Sequence, residues 1–312
     1  MKITGIRTRR LRLDLDPPFH AAWDPVPRRH FDATLVYVET AEGVVGVGSG
    51  DTMDGFEAFE HLFVGEDPLE LERHVRVLET IAFHAGRYWP LEAALWDIAG
   101  QAQGVPVAEL FGGKADRLPV YASTGAAQSP DERAESAMAL REEGFRALKL
   151  RIDRDGIEKG LATVAAVRAA IGSSMEIMVD VNEGWRMPGD VRPALDFETV
   201  KRLAAELREH DIFWLEEPRP VWDVQGLAEL RETGVTLAGG EMVRTTAEFD
   251  AYLEAGALDV YQPDAVLAVG LLRAKEVAER AQARGQRYTP HTWTNGLGLL
   301  VNLHVAAGVG AE

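Results

Sequence analysis

Four short apolar runs in the second half of this chain each end in an acidic residue or a histidine, with helical stretches between them. They are IMVDVN at 177–182, IFWLEEP at 212–218, VTLAGGE at 235–241 and RYTPH at 287–291. Strands alternating with helices require crossover connections, which argues for a parallel sheet covered by helices. Polar residues gathered at the C-terminal ends of successive strands then converge on one mouth, as in a (β/α) barrel. The chemistry is therefore expected between residues 147 and 291.

Three further strands fit the alternation: 118–123 (LPVYAS), 147–152 (ALKLRI) and 258–262 (LDVYQ). Helical periodicity falls at 131–143, with Ser129 or Asp131 as N-cap and Gly144 as its stop, and at 157–171, 197–210, 224–233, 246–255, 271–284 and 297–309. Seven strands and about as many helices follow a boundary placed near residue 115, so the chain divides into 1–115 and 116–312. The first part reads differently. Alternation over 2–15, 33–39 and 41–48 predicts antiparallel β-structure. The proline-rich stretch 16–29 and GDTMDG at 50–55 read as loops, and 69–80 and 91–102 as helices.

Composition narrows the function. The 312 residues are 46% hydrophobic, enough for a large core. A net charge of −17 argues against a nucleic-acid surface. Cysteine is absent, which excludes disulfides, thiolate metal sites and thiol nucleophiles. No apolar run approaches a membrane span, and the N-terminus has no apolar signal core. A soluble cytoplasmic protein is the expectation.

Asp180, Glu216 and Glu241 end three consecutive strands. Each alone has an ordinary structural role open to it. Three carboxylates converging on one point repel each other unless a cation lies between them. All-oxygen ligands suit a hard ion, Mg²⁺ first and Mn²⁺ second. Period-2 geometry sets Glu216 as the ligand and turns Glu217 the other way, as a partner for a nearby cation. Lys149 and Arg151, two apart on one strand, face the same side, while Leu148 and Leu150 face the helices. Those two cations either pair with buried acids, hold a substrate carboxylate or act as a base. His291, with Asp264 following the preceding strand, has the makings of a general base whose tautomer a carboxylate fixes.

Taken in order, LKLR at 148–151, VDVN at 179–182, LEEP at 215–218, GGE at 239–241, QPDA at 262–265 and PHTW at 290–293 resemble the enolase superfamily, mandelate racemase subgroup. ALWDIAG at 94–100 and LFGG at 110–113 are similar to it too. The resemblance implies an N-terminal α+β capping domain on an α/β (β/α)₇β modified TIM barrel. It implies Mg²⁺ on Asp180, Glu216 and Glu241, an Asp264–His291 base and a small carboxylate substrate near Asn182. It also implies that the 16–29 and 50–55 loops close the site, with His20 and Trp23 as candidates for substrate contact. A homo-oligomer is expected, with neither nucleic acid nor membrane as partner.

Two departures shape the expected reaction. The family's Lys-x-Lys is here Lys149-Leu150-Arg151, and arginine is a poor base. The family's eighth strand, with its glutamate, has no match; Glu312 is terminal, so the barrel is expected to continue past this residue. One working base suits dehydration of an acid sugar to a 2-keto-3-deoxy acid better than racemisation. A racemase or epimerase of a 2-hydroxy acid is the rival reading, and a non-catalytic sugar-acid-binding protein on the same scaffold is the third.

Overall fold

The computed structural model describes residues 1–50 and 52–311. Asp51, in the 50–55 loop, and Glu312 lie outside the described residues. Three antiparallel strands open the chain: β1 (Ile3–Phe19), β2 (Arg28–Thr40) and β3 (Val45–Gly50), in the order β1-β2-β3. β3 pairs with β2 only between Thr34 and Glu39, so the rest of β1 and β2 runs on as a two-stranded arm. Pairing in the arm continues to Phe19↔Arg28 after a register shift beyond Asp14. The loop expected over 16–29 therefore shrinks to the residues between Phe19 and Arg28. Pro17 and Pro18 fall within the shift and on an edge strand, where a missing N–H costs no central ladder bond. The arm's tip docks on the barrel: Ala21 bridges Ala126, and Ala22 N–H donates to the Gly125 carbonyl at 3.0 Å.

Helices α1 (Leu71–His84), α2 (Trp89–Gln103) and α3 (Val107–Leu110) follow. α2 lies directly on β3 because Gly46 and Gly48 carry no side chain. A Cβ at Gly48 would sit 2.0 Å from the Pro90 carbonyl oxygen, and one at Gly46 would sit 2.1 Å from that of Ala94. Val36, Val38, Phe63, Leu78, Leu91, Leu95 and Ile98 fill the core between sheet and helices.

The βα units then run in sequence: β4 (Ala122–Ser123), α4 (Pro130–Glu143), β5 (Ala147–Arg151), α5 (Ile157–Ile171), β6 (Glu176–Asp180), α6 (Phe197–Arg208), β7 (Trp214–Glu216), α7 (Val224–Arg231), β8 (Leu237–Gly239), α8 (Thr246–Ala255), β9 (Val260–Tyr261), α9 (Leu271–Gln282), β10 (Arg287–Tyr288) and α10 (Gly296–Val309). β4 to β10 form one parallel sheet in chain order. Among the described residues no eighth strand joins it, and β4 and β10 are its edges. Capping boxes at Ser129/Glu132 and Thr245/Glu248 start α4 and α8 by satisfying amides that have no partner within the helix.

Alternation along the strands separates two environments. Leu148, Leu150, Ile177, Val179, Leu215 and Leu237 face the helices. Met178, Trp214, Ala238 and Val260 point inward and form an apolar floor with Tyr121. One step further along the same strands, the inward positions are Arg151, Asp180 and Glu216, which lie side by side in register.

Candidate active site

Asp180, Glu216 and Glu241 are all buried, and one carboxylate oxygen of each lies within 4.8 Å of the others. Two cations stand among them. Lys149 Nζ donates to Glu216 Oε1 and lies 3.4 Å from Asp180 Oδ2. Arg151 Nη1 donates to Asp180 Oδ2, and to Asn182 Oδ1 at 2.8 Å. Glu216 Oε2 accepts from Trp214 Nε1 at 2.9 Å and from Gln262 Nε2 at 3.0 Å. Asn182 takes a left-handed φ of 49°, and its N–H donates to Asp180 Oδ1 at 2.8 Å.

The charges respond to these surroundings. Burial pushes Asp180 up to about 7, with Arg151 pulling the other way. Burial would raise Glu216 as well, but Lys149 and Arg151 outweigh it and hold this acid down to about 2. Lys149, which burial alone would lower, is raised by Glu216. Three carboxylates against two cations leave the cluster one negative charge in excess. A divalent cation would turn that excess to one positive charge, which favours an anionic substrate.

The donor set fits a hard metal ion. Its ligand atoms are carboxylate oxygens only, and Glu241 Oε2 is buried without a hydrogen bond. The other oxygen, Glu241 Oε1, accepts from Trp185 Nε1 at 2.7 Å.

His291 stands beside Glu241, with its Nε2 3.3 Å from Glu241 Oε2 and its Nδ1 2.9 Å from Asp264 Oδ2. Asp264 is fixed from behind, because its Oδ1 accepts from the Val266 and Leu267 amides at 2.7 and 3.0 Å and from Asn302 Nδ2 at 3.3 Å. Burial would lower His291; Glu241 and Asp264 together raise it. With Nδ1–H turned to Asp264, Nε2 is the atom left to carry a proton.

A cavity of about 680 Å³ lies over this cluster, between barrel and arm. Arg151, Asn182, Glu241 and His291 line its base. Trp23 hangs from the arm, 4.6 Å from the Arg151 guanidinium and edge-on to Trp293 at 5.3 Å. Thr52 and Asp54, from the 50–55 loop, line the wall.

Three expected placements need correction. His20 is exposed and does not line the cavity; Phe19 and Trp23 turn toward Trp293 instead. Lys149 does not line it either, because it is held beneath by Glu216 and Asp180. Glu217 has no cation partner among the described residues. Its φ of 44° turns it away, against Gly184, and both its oxygens are buried without hydrogen bonds. Burial, reinforced by Glu241, raises its pKa well above the usual carboxylate range. Trp185, Arg28 and Trp293 are cavity residues that sequence reasoning did not single out. Trp293 lay within a quoted motif, and Trp185 stands three residues past Asn182.

Comparison with known proteins places these features. Residues 3–112 match the N-terminal domain of mandelate racemase / muconate lactonizing enzyme, and residues 132–312 match the enolase C-terminal domain-like family. The chain is 31% identical to the D-galactarolactone cycloisomerase of Agrobacterium fabrum, over 99% of this chain and 83% of that one. It is 27% identical to the L-talarate/galactarate dehydratase of Salmonella typhimurium, over 80% of this chain and 61% of the relative. A racemase from Streptomyces coelicolor, solved with bound magnesium, superposes with a TM-score of 0.84 at 27% identity, covering 99% of this chain and 87% of that one. The chain is an enzyme of the enolase superfamily and belongs to its mandelate racemase/muconate lactonizing enzyme family.

Proposed function

We propose that the protein dehydrates an acid sugar to a 2-keto-3-deoxy acid, with residues 1–115 acting as a cap over the barrel. The observation that carries this reading is the asymmetry of the cavity base. His291 presents Nε2 there, backed by Asp264, whereas Lys149 is sealed beneath the carboxylates and only Arg151 faces the cavity from that strand. A guanidinium stays protonated near neutral pH and cannot take a proton. One base on one face suits elimination, whereas racemisation needs a second acid/base opposite.

Asp180, Glu216 and Glu241 would hold the metal, Mg²⁺ with Mn²⁺ as substitute, displacing Lys149 and Arg151 from part of their bonding. Bound there, it supplies Lewis-acid stabilisation of the charge that develops on a substrate carboxylate. His291 takes the proton from the carbon next to that carboxylate. The electron pair released forms the C2–C3 double bond as the 3-hydroxyl departs, and His291 returns its proton to that leaving group as water. The enol left behind tautomerises to the 2-keto acid. Arg151 and Asn182 face the same space and position the anion, while Trp23 and Trp293 exclude water from above.

Proton NMR in D₂O with Mg²⁺, against aldonic, aldaric and simple 2-hydroxy acids, tests the proposal. A 2-keto-3-deoxy product from one sugar acid supports it. Exchange of the C2 proton into both epimers without loss of water would replace it with an epimerase, and ligand binding without exchange would replace it with a binding protein.

A further inference from the structure

Glu92 is a fully buried carboxylate in α2 of the cap, far along the chain from the base and outside the cavity lining. Its oxygens accept from the first amides of α9: Oε2 from Leu271 N–H at 3.0 Å and Oε1 from Leu272 N–H at 2.8 Å. Trp96 Nε1, one turn along α2, donates to Oε1 at 3.2 Å. Burial pushes Glu92 up to about 7, and those three donors oppose it. A buried carboxylate costs several kcal/mol unless hydrogen bonds compensate it, and here the compensation comes mainly from the barrel.

Two neighbours in the cap grip the same segment. Trp89 Nε1 donates to the Ala268 carbonyl at 2.8 Å, and Arg87 donates to that of Leu267. Gly270 lets the chain come this close. Its φ is +84°, and a Cβ there would lie 2.0 Å from Glu92 Oε2. The segment so held, 264–272, begins with Asp264 and folds back around it. Val266 and Leu267 amides bond its side chain, and Ala268 and Val269 amides bond its carbonyl at 3.1 and 3.2 Å. Hydrogen bonds from α2 thus hold the backbone of a segment whose own amides hold the carboxylate that orients His291.

We propose that Glu92 is a positioning residue for the Asp264–His291 pair, fixing from the cap the segment that sets the angle and reach of the Asp264 carboxylate. The proposal rests on the reading of His291 as the base, and it goes beyond that reading by making the cap part of the base's alignment. Glu92 touches no substrate; it acts through the α9 amides.

The test compares Glu92→Gln with Arg273→Met. Arg273 also ties α9 to the cap, bonding Glu79 at 2.8 Å and Glu72 at 3.0 Å, but it holds no backbone group of 264–272. Glutamine keeps one acceptor and turns an NH₂ group toward an amide N–H. Glu92→Gln is expected to lower kcat by about 10- to 100-fold, the usual effect of losing an outer hydrogen-bond partner, with KM nearly unchanged. It should also shift or broaden the His291 Nδ1–H proton resonance. Arg273→Met should lower the Tm while leaving kcat and that resonance in place. Wild-type kcat and resonance in Glu92→Gln would overturn the proposal, as would an equal kcat loss in Arg273→Met at matched Tm. Should Glu92→Gln not fold, Trp89→Phe keeps the ring but loses the bond to Ala268. A smaller kcat loss and a displaced resonance are expected there, and wild-type behaviour would overturn the idea. The resonance is read without substrate, so it judges Glu92 even if the wild-type enzyme proves silent toward acid sugars, a result that would count against the proposed reaction alone.

Discussion

The cap core and the barrel mouth each hold a histidine, one buried and one at the base of the cavity, and the two are pushed in opposite directions. His74 of α1 lies in the cap core, stacked on Phe63 with centroids 5.6 Å apart, its Nε2 2.8 Å from the Asp67 carbonyl oxygen. A carbonyl can only accept, so Nε2 carries a proton, and burial lowers the pKa below the ordinary 6.5, which favours the neutral ring. Desolvation lowers His291 too, but Glu241 and Asp264 flank its two nitrogens and the pKa rises. Desolvation alone makes a structural histidine, and desolvation opposed by two anions makes one that holds and releases a proton. The adjacent acids Glu216 and Glu217 repeat the lesson with carboxylates: at Glu216 Lys149 and Arg151 outweigh burial and lower the pKa, whereas at Glu217 burial, reinforced by Glu241, raises it.

The largest break in this contrast is His291→Asn. Removing the base should cut C2 proton exchange by roughly 10² to 10⁴-fold with the fold retained. Near-normal exchange measured by NMR in D₂O would remove His291 from the mechanism. Asp264→Asn comes next. An amide cannot stabilise the imidazolium, so turnover should fall by about 10- to 100-fold, and the pH at which the rate rises should move down, because one of the two anions that raise His291 is gone. A pH–rate profile identical to wild type would show that Asp264 only fills space.

The smallest effect belongs to His74. Its pKa is depressed in the folded state, so its contribution to stability is present above the unfolded value of 6.5 and is lost as pH falls through the lower folded value. Tm should therefore drop modestly as the solution is acidified below 6.5, and His74→Gln should flatten that limb. An unchanged slope would place the acid sensitivity elsewhere.

Much of the barrel was legible because its signals are local. Leu148 and Leu150 against Lys149 and Arg151 state which face is inside, and Asp180, Glu216 and Glu241 stand where short apolar runs end. The outer end of the arm was not legible. Its prolines read as a loop, and only the edge position of β1 lets pairing continue past them. His20 and Trp23 are close in sequence, and only the arm's docking on 125–126 decides which of them faces Trp293. Glu217 depends on a single left-handed φ, and the Trp185 bond to Glu241 depends on the fold of the loop after β6. Neither is written in periodicity.

The edge position of β1 has a consequence for how the chain behaves among copies of itself. Among the described residues no strand other than β2 pairs with β1; Ile3 and Ile6 bond the 60–66 segment, and the edge beyond them is a template for adding further strands, long exposed edges being a common origin of aggregation. Here Arg7, Arg10 and Arg12, ion-paired to Glu39 and Asp32 of β2, and Arg9 crowd the strand with bulky charged side chains, and Pro17-Pro18 removes backbone donors near its end. A second copy approaching edge to edge would meet the same arginines and the same missing amides. The prolines that made the end of β1 read as a loop thus also help to guard it against becoming the first strand of an intermolecular sheet.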